Sequence, residues 1–256
     1  MRLSLHSTTW LRETILRIAE FAFPTQCTLC GSAQLSTGAA HGSFCHDCEA
    51  ELCPAPHNRC KCCGAEIGLY SVSDKGCTHC RNRTLRFESV TCLGMYDESI
   101  RKAILSAKWS FSAVRMQSLA MLLARERATD LQSLNVDRVV PIPQHWRQRL
   151  SRSFNPAWVI AERLAAALKI PCDAHLLQRC RMTRSQKRVA VSQRFENQAD
   201  SFRLRNSDSI KAETVLLVDD VLTTGATCSE AARILRAAGA KCCHVAVLGR
   251  VLDHSA

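Results

Sequence analysis

Residues 215–227, Val-Leu-Leu-Val-Asp-Asp-Val-Leu-Thr-Thr-Gly-Ala-Thr, set two adjacent carboxylates, three threonines and a glycine behind an apolar run. The run predicts a buried strand that delivers Asp219 and Asp220 to the carboxyl edge of a sheet, where α/β folds hold their ligands. The loop Val221–Thr224 then offers backbone N–H groups and hydroxyls at the start of a helix, which suits a phosphate. Carboxylates repel phosphate, so the acidic pair is expected to face sugar hydroxyls or a Mg²⁺ that arrives with the ligand. The chemistry implied is recognition of a sugar phosphate. A P-loop would need a lysine after the glycine, and a dinucleotide fingerprint would need three glycines; neither is present. A plain helix cap is the simpler alternative, but capping needs neither the second carboxylate nor the third threonine.

Cysteine supplies the second chemistry. Of 16 cysteines, ten lie between residues 27 and 80, and eight form four Cys-x-x-Cys knuckles: Cys27/Cys30, Cys45/Cys48, Cys60/Cys63 and Cys77/Cys80. Two such knuckles complete the tetrahedral thiolate shell of a structural Zn²⁺, with no position left for a catalytic water. One or two ions are expected. Sequential pairing (27/30/45/48 and 60/63/77/80) and a crossed arrangement fit the spacing equally well. Cys53 and Cys62 are spare, and His41, His46 and His79 read as bystanders. With few aromatics, this stretch has little core of its own and depends on metal to fold. The remaining cysteines, Cys92, Cys172, Cys180, Cys228, Cys242 and Cys243, read as small core residues.

The formal charge of +11 is concentrated. Between Arg138 and Arg194 twelve Arg or Lys face only Glu162 and Asp173, a local net of +10. Such a segment should meet an anion: pyrophosphate, a nucleotide or a nucleic-acid backbone. No apolar run approaches the ~20 residues of a membrane span. Arg12, Glu13, Arg17 and Glu20 break what would be the apolar core of a signal peptide, so a cytoplasmic location is expected.

These residues need a frame. Leu11, Ile15, Ile18 and Ala22 fall at helical spacing and predict an amphipathic helix over residues 1–24. Residues 25–84 are expected to form a double zinc-ribbon module and residues 85–256 an α/β domain. In the latter, strands are predicted at Ser89–Tyr96, Val136–Ile142, Thr214–Val218 and Lys241–Leu248. Helices are predicted at Ser99–Trp109, Val114–Ala128, Asn155–Leu168 and Ala226–Ala238, the last stopped by Gly239. Periodicity puts Trp158 in the core.

The 215–227 segment resembles the phosphoribosyl-pyrophosphate (PRPP) motif of the type I phosphoribosyltransferases. Almost the whole chain resembles the ComF family of competence and DNA-utilisation proteins. The resemblance is carried by the knuckles after Phe23-Pro24, Ala107-Lys108-Trp109, Val140-Pro-Ile-Pro143, Arg152-Ser-Phe-Asn155, Arg181-x-Thr183-x-x-Gln186, Arg194-x-x-Asn197 and the Asp219–Thr227 loop. Ser153 and Pro156 stand where that family usually has glycine and glutamine. The resemblance implies a type I phosphoribosyltransferase-like parallel sheet flanked by helices, with a small N-terminal Cys₄ zinc-ribbon module. It implies that Asp219 and Asp220 hold the ribose hydroxyls, while Val221, Leu222, Thr223, Thr224, Gly225, Ala226 and Thr227 bind PRPP around its 5′-phosphate. Residues 141–153 would be a pyrophosphate loop and 179–194 a flap. Lys108, Arg147, Arg181 and Lys187 are candidates to stabilise the departing pyrophosphate together with Mg²⁺. Two functions compete: Mg²⁺-dependent phosphoribosyl transfer linked to DNA uptake, and non-catalytic binding of single-stranded DNA or nucleotides. Partners would be PRPP or a nucleotide, single-stranded DNA and DNA-uptake proteins. Trp109, Phe111, Trp146 and Trp158 are the stacking candidates for the second.

Overall fold

The computed structural model describes residues 26–33, 44–54, 58–68, 76–109, 113–144, 154–180, 198, 200–205 and 210–252. The predicted helix over 1–24, Arg147, Arg181 and Lys187, and most of the expected pyrophosphate loop and flap, lie outside these residues. The chain separates into two compact units, Met1–Ala50 and Glu51–Ala256. In the first, Cys27 and Cys30 sit in a turn, and Cys45 immediately precedes helix α1 (His46–Leu52), which carries Cys48.

The second unit is built on four parallel strands in the order β1-β6-β5-β2. These are β1 (Ser89–Met95), β2 (Arg138–Pro141), β5 (Thr214–Leu222) and β6 (Cys242–Arg250). Continuous apolar runs such as Val215–Val218 suit strands covered on both faces, and all four of those residues are 0% exposed. Helices α2 (Glu98–Trp109), α3 (Val114–Glu126), α4 (Ala128–Ser133), α5 (Pro156–Leu168) and α6 (Ala226–Ala237) connect or follow them. A short antiparallel pair, β3 (Leu177–Arg179) and β4 (Phe202–Leu204), has no counterpart in the sequence expectations. Side chains alternate along a strand, so Val215 and Leu217 join Val245, Val247, Phe202 and the α6 residues Ala231 and Leu235 in one core cluster.

Local signals place the helix ends. Asn155 caps α5 by accepting from the Ala157 N–H at 3.1 Å, with Pro156 at the first helical position, as an N-cap followed by proline should. The Asn155 amide also donates to the Ile142 carbonyl at 3.3 Å, fixing α5 to the end of β2. Two expectations are corrected. Strand β5 runs four residues past Val218, because β6 also runs on and the ladder continues to Leu222↔Arg250. Trp158 is 40% exposed rather than in the core: the buried face of α5 is carried by Ala157, Ile160, Ala161 and Leu164, which leaves position 158 outward. Among the described residues no helix is long and apolar enough to cross a membrane.

Candidate functional site

The extension of β5 makes Asp219 and Asp220 strand residues, not loop residues. Alternation then sends the two carboxylates to opposite faces of the sheet. Asp219 follows Val215 and Leu217 toward the α6 face, where Arg179 of β3 and Cys228 of α6 are its electrostatic neighbours. Asp220 faces the other way and forms an ion pair with Lys108, near the end of α2; the two side chains are 17% and 14% exposed. Adjacent residues thus sit in different electrostatic settings. Burial pushes the Asp219 carboxyl up from 3.8 to about 7, the Asp220 charge pushes the same way, and Lys108 and Arg179 oppose it.

After Leu222 the chain turns through Thr223, Thr224 and Gly225 into α6. Gly225 is the N-cap, with φ of 84°, and no side chain caps the helix there. That conformation is one L side chains rarely adopt, and an added Cβ would lie 3.2 Å from Leu85 and 3.3 Å from Phe87. Thr224 is 2% exposed, and its hydroxyl accepts from the Ala226 N–H at 3.4 Å. Leu222 is in the core, while Ala226 and Thr227 are buried in the first turn of α6. The segment therefore places a half-buried Thr223 beside buried anchors at a helix N-terminus, and helix N-termini attract anions.

Arg250, which sequence reasoning passed over, closes the back of the loop. It ends β6, is 2% exposed, and its Nη1 donates to the carbonyls of Leu222, Thr223 and Val251. Its Nε donates at 2.7 Å to the carbonyl of Cys63. The third knuckle is so joined to the acidic loop through one buried guanidinium. An arginine at the end of an apolar strand reads as an ordinary strand stop, so only the long-range contact reveals its part. Arg83 adds a bond from Nη1 to the Thr224 carbonyl at 3.5 Å.

The eight knuckle cysteines form two groups in the sequential pairing, Cys27/Cys30/Cys45/Cys48 and Cys60/Cys63/Cys77/Cys80. Each group keeps its four sulfurs within 4.8 Å of one another. With Zn–S bonds of about 2.3 Å, tetrahedral geometry requires sulfurs about 3.8 Å apart. The separations are 3.6 Å for Cys30–Cys45, 3.8 Å for Cys60–Cys80, 3.6 Å for Cys63–Cys77 and 3.8 Å for Cys77–Cys80. Both groups could hold Zn²⁺. The second belongs to the α/β unit: all four of its cysteines are buried, and Ala65, Ile67, Leu85 and Leu252 pack around them. The Val90 N–H also donates to Lys61 at 2.9 Å. Of the six cysteines outside residues 27–80, Cys92, Cys228 and Cys243 are buried. Cys172 and Cys242 are half-buried and Cys180 is exposed, at the end of a β3 strand too short to be covered.

Comparison with known proteins gives this site its context. Residues 155–253 match the phosphoribosyl transferase domain family. The chain is 26% identical over 204 residues to Competence protein F of Haemophilus influenzae, covering 78% of this chain and 87% of that protein. It is 26% identical over 236 residues to the DNA utilization protein YhgH of Escherichia coli K12, covering 88% and 97%. Among solved structures, a purine phosphoribosyltransferase from Pyrococcus horikoshii aligns with a TM-score of 0.31 at 16% identity, covering 62% of this chain and 78% of that one. The adenine phosphoribosyltransferase of Leishmania tarentolae aligns with a TM-score of 0.32 at 20% identity, covering 52% and 55%. The chain is thus similar over most of its length to a competence protein and a DNA utilization protein, and it carries a match to a phosphoribosyl transferase domain after cysteine clusters able to bind zinc.

Proposed function

We propose that the second unit binds PRPP at the end of β5 and that Mg²⁺ accompanies it. One observation carries this reading: Asp219 and Asp220 lie near the C-terminal end of β5, a few residues before a glycine-capped helix N-terminus. The 5′-phosphate would lie on the N–H groups of residues 223–227, and the two carboxylates would meet the ribose hydroxyls. Mg²⁺ would enter with the pyrophosphate and supply charge neutralisation there. Lys108 neutralises Asp220 in an ion pair. When ligand arrives, its ammonium would be released toward the pyrophosphate, where a cation stabilises the leaving group. Arg147 and Lys187 are the further cations of this reading. Transfer of phosphoribose to an acceptor, in a cytoplasmic protein linked to DNA uptake, is the activity that follows.

The test is calorimetric titration of the zinc-loaded protein with PRPP, with and without Mg²⁺, beside the Asp219→Asn/Asp220→Asn variant. Saturable binding that disappears in the variant supports the site; no binding by folded wild type overturns it. A second reading, non-catalytic binding of single-stranded DNA or nucleotides, is favoured by the names carried by the relatives, a competence protein and a DNA utilization protein. Binding to oligonucleotide that survives the aspartate substitutions and falls steeply with salt would favour it.

A further inference from the structure

A pocket of about 370 Å³ opens beside β3 and the N-terminal end of α5. Its polar wall is Gln144, Asn155, His175, Gln178, Arg179 and Arg205, and its apolar wall includes Pro141, Pro143 and Trp158. Three properties stand out physically. Trp158 is 40% exposed and lines the pocket, so an aromatic surface is open to a ligand there. The lining holds two guanidiniums and no carboxylate, and Arg205 is in no ion pair among the described residues. The Oε1 atom of Gln144 is buried and finds no hydrogen-bond donor among the described residues, a cost that a ligand donor would relieve.

An aromatic face, cations and an unused amide acceptor are together the complement of a base joined to a phosphate. A flat ring would stack on the indole, an exocyclic amine could donate to Gln144, and the phosphate would meet Arg205 and Arg179. The volume is within the range of small-ligand sites. A purely apolar ligand would leave Arg205 unmatched, and an inorganic anion would leave the indole uncovered. We propose that this pocket binds a nucleotide, stacked on Trp158 and held at its phosphate by Arg205 with Arg179. The inference rests on the second reading above, binding of nucleotides, and gives it a site apart from Asp219 and Asp220, although Arg179 lies close enough to Asp219 to affect its charge.

The experiment is titration of the full-length, zinc-loaded protein with dAMP, with inorganic phosphate, and with a short single-stranded oligonucleotide, followed by calorimetry. Wild type should bind dAMP saturably and phosphate far more weakly. Trp158→Ala should weaken dAMP binding at least tenfold, Trp158→Phe should keep most of it, and Arg205→Ala, at an exposed residue, should weaken it severalfold. The Asp219→Asn/Asp220→Asn variant should bind dAMP no more weakly than wild type. Tighter binding of the oligonucleotide than of dAMP, lost in the same variants, would identify a residue of a DNA strand as the occupant; equal binding would identify the free nucleotide. Unchanged dAMP affinity in folded Trp158→Ala and Arg205→Ala, or loss that instead follows the aspartate variant, overturns the proposal.

Discussion

Replacing Asp219 with Asn should stabilise the ligand-free protein at neutral and alkaline pH. The carboxyl is pushed from 3.8 to about 7, chiefly by burial and then by the Asp220 charge. A carboxyl whose folded value is raised binds its proton more tightly in the folded chain than in the unfolded one. Its burden is therefore absent below about pH 4, grows as pH rises toward 7, and is complete above that. At about 1.4 kcal/mol per tenfold, the difference sets a ceiling of about 4 kcal/mol. Asp219 shares its charge with Asp220, and Lys108 compensates the pair, so half of that, about 2 kcal/mol, is the expected gain. The substitution is otherwise quiet, because an asparagine oxygen can still accept the Asp220 N–H that Asp219 takes at 2.8 Å. For a unit of this size the gain corresponds to a Tm increase of about 4–8 °C. The assay is thermal unfolding of zinc-loaded protein without ligand or Mg²⁺, from pH 5.5 to 8.5, with the gap between variant and wild type widening up to about pH 7 and level above it. A variant no more stable than wild type at pH 8, or a gap constant with pH, would refute the reasoning.

Three further outcomes follow from the same geometry. Lys108→Gln leaves the two carboxylates without their nearest cation, so combining it with Asp219→Asn should give a larger stabilisation than Asp219→Asn gives in wild type; a double-mutant cycle by urea unfolding reads the difference. Arg250→Met strips donors from buried carbonyls on both the loop and the third knuckle, and should cost about 3 kcal/mol or more, with faster zinc release from the Cys60 group. Chelator challenge of the wild-type protein should give two phases, because Cys30 is exposed whereas all four cysteines of the Cys60 group are buried; a colorimetric zinc indicator resolves them, and Cys63→Ser should remove the slow phase.

What could be read from sequence was whatever depends on close spacing. The apolar run ending in two aspartates and a glycine specifies a strand, a turn and a helix within thirteen residues, and each Cys-x-x-Cys specifies half a metal shell. What escaped was set by distant partners. Nothing in Val221-Leu222 says that the ladder continues, since that depends on β6 reaching Arg250. The environments of Asp219 and Asp220 diverge because the strand, not a loop, carries them. Three-residue strands such as β3 and β4 are too short for any alternation to register, and Trp158 met the helical period while pointing just outside the buried arc. The attachment of Cys60–Cys80 to the α/β unit likewise rests on Arg250 and β1, far along the chain.

The two arginines behind the acidic loop have a directional consequence. Each peptide unit is planar, and among the described residues none is cis, so its C=O and N–H point in opposite directions. Arg250 holds the carbonyls of Leu222 and Thr223, and Arg83 holds that of Thr224. The amide hydrogens of Thr223, Thr224 and Gly225 must then each be turned away from the guanidinium that holds the preceding carbonyl, three in succession. Buried Arg250 and half-buried Arg83 thereby orient a row of neutral donors before any anion arrives, Arg250 from the flank where it also grips the Cys63 carbonyl.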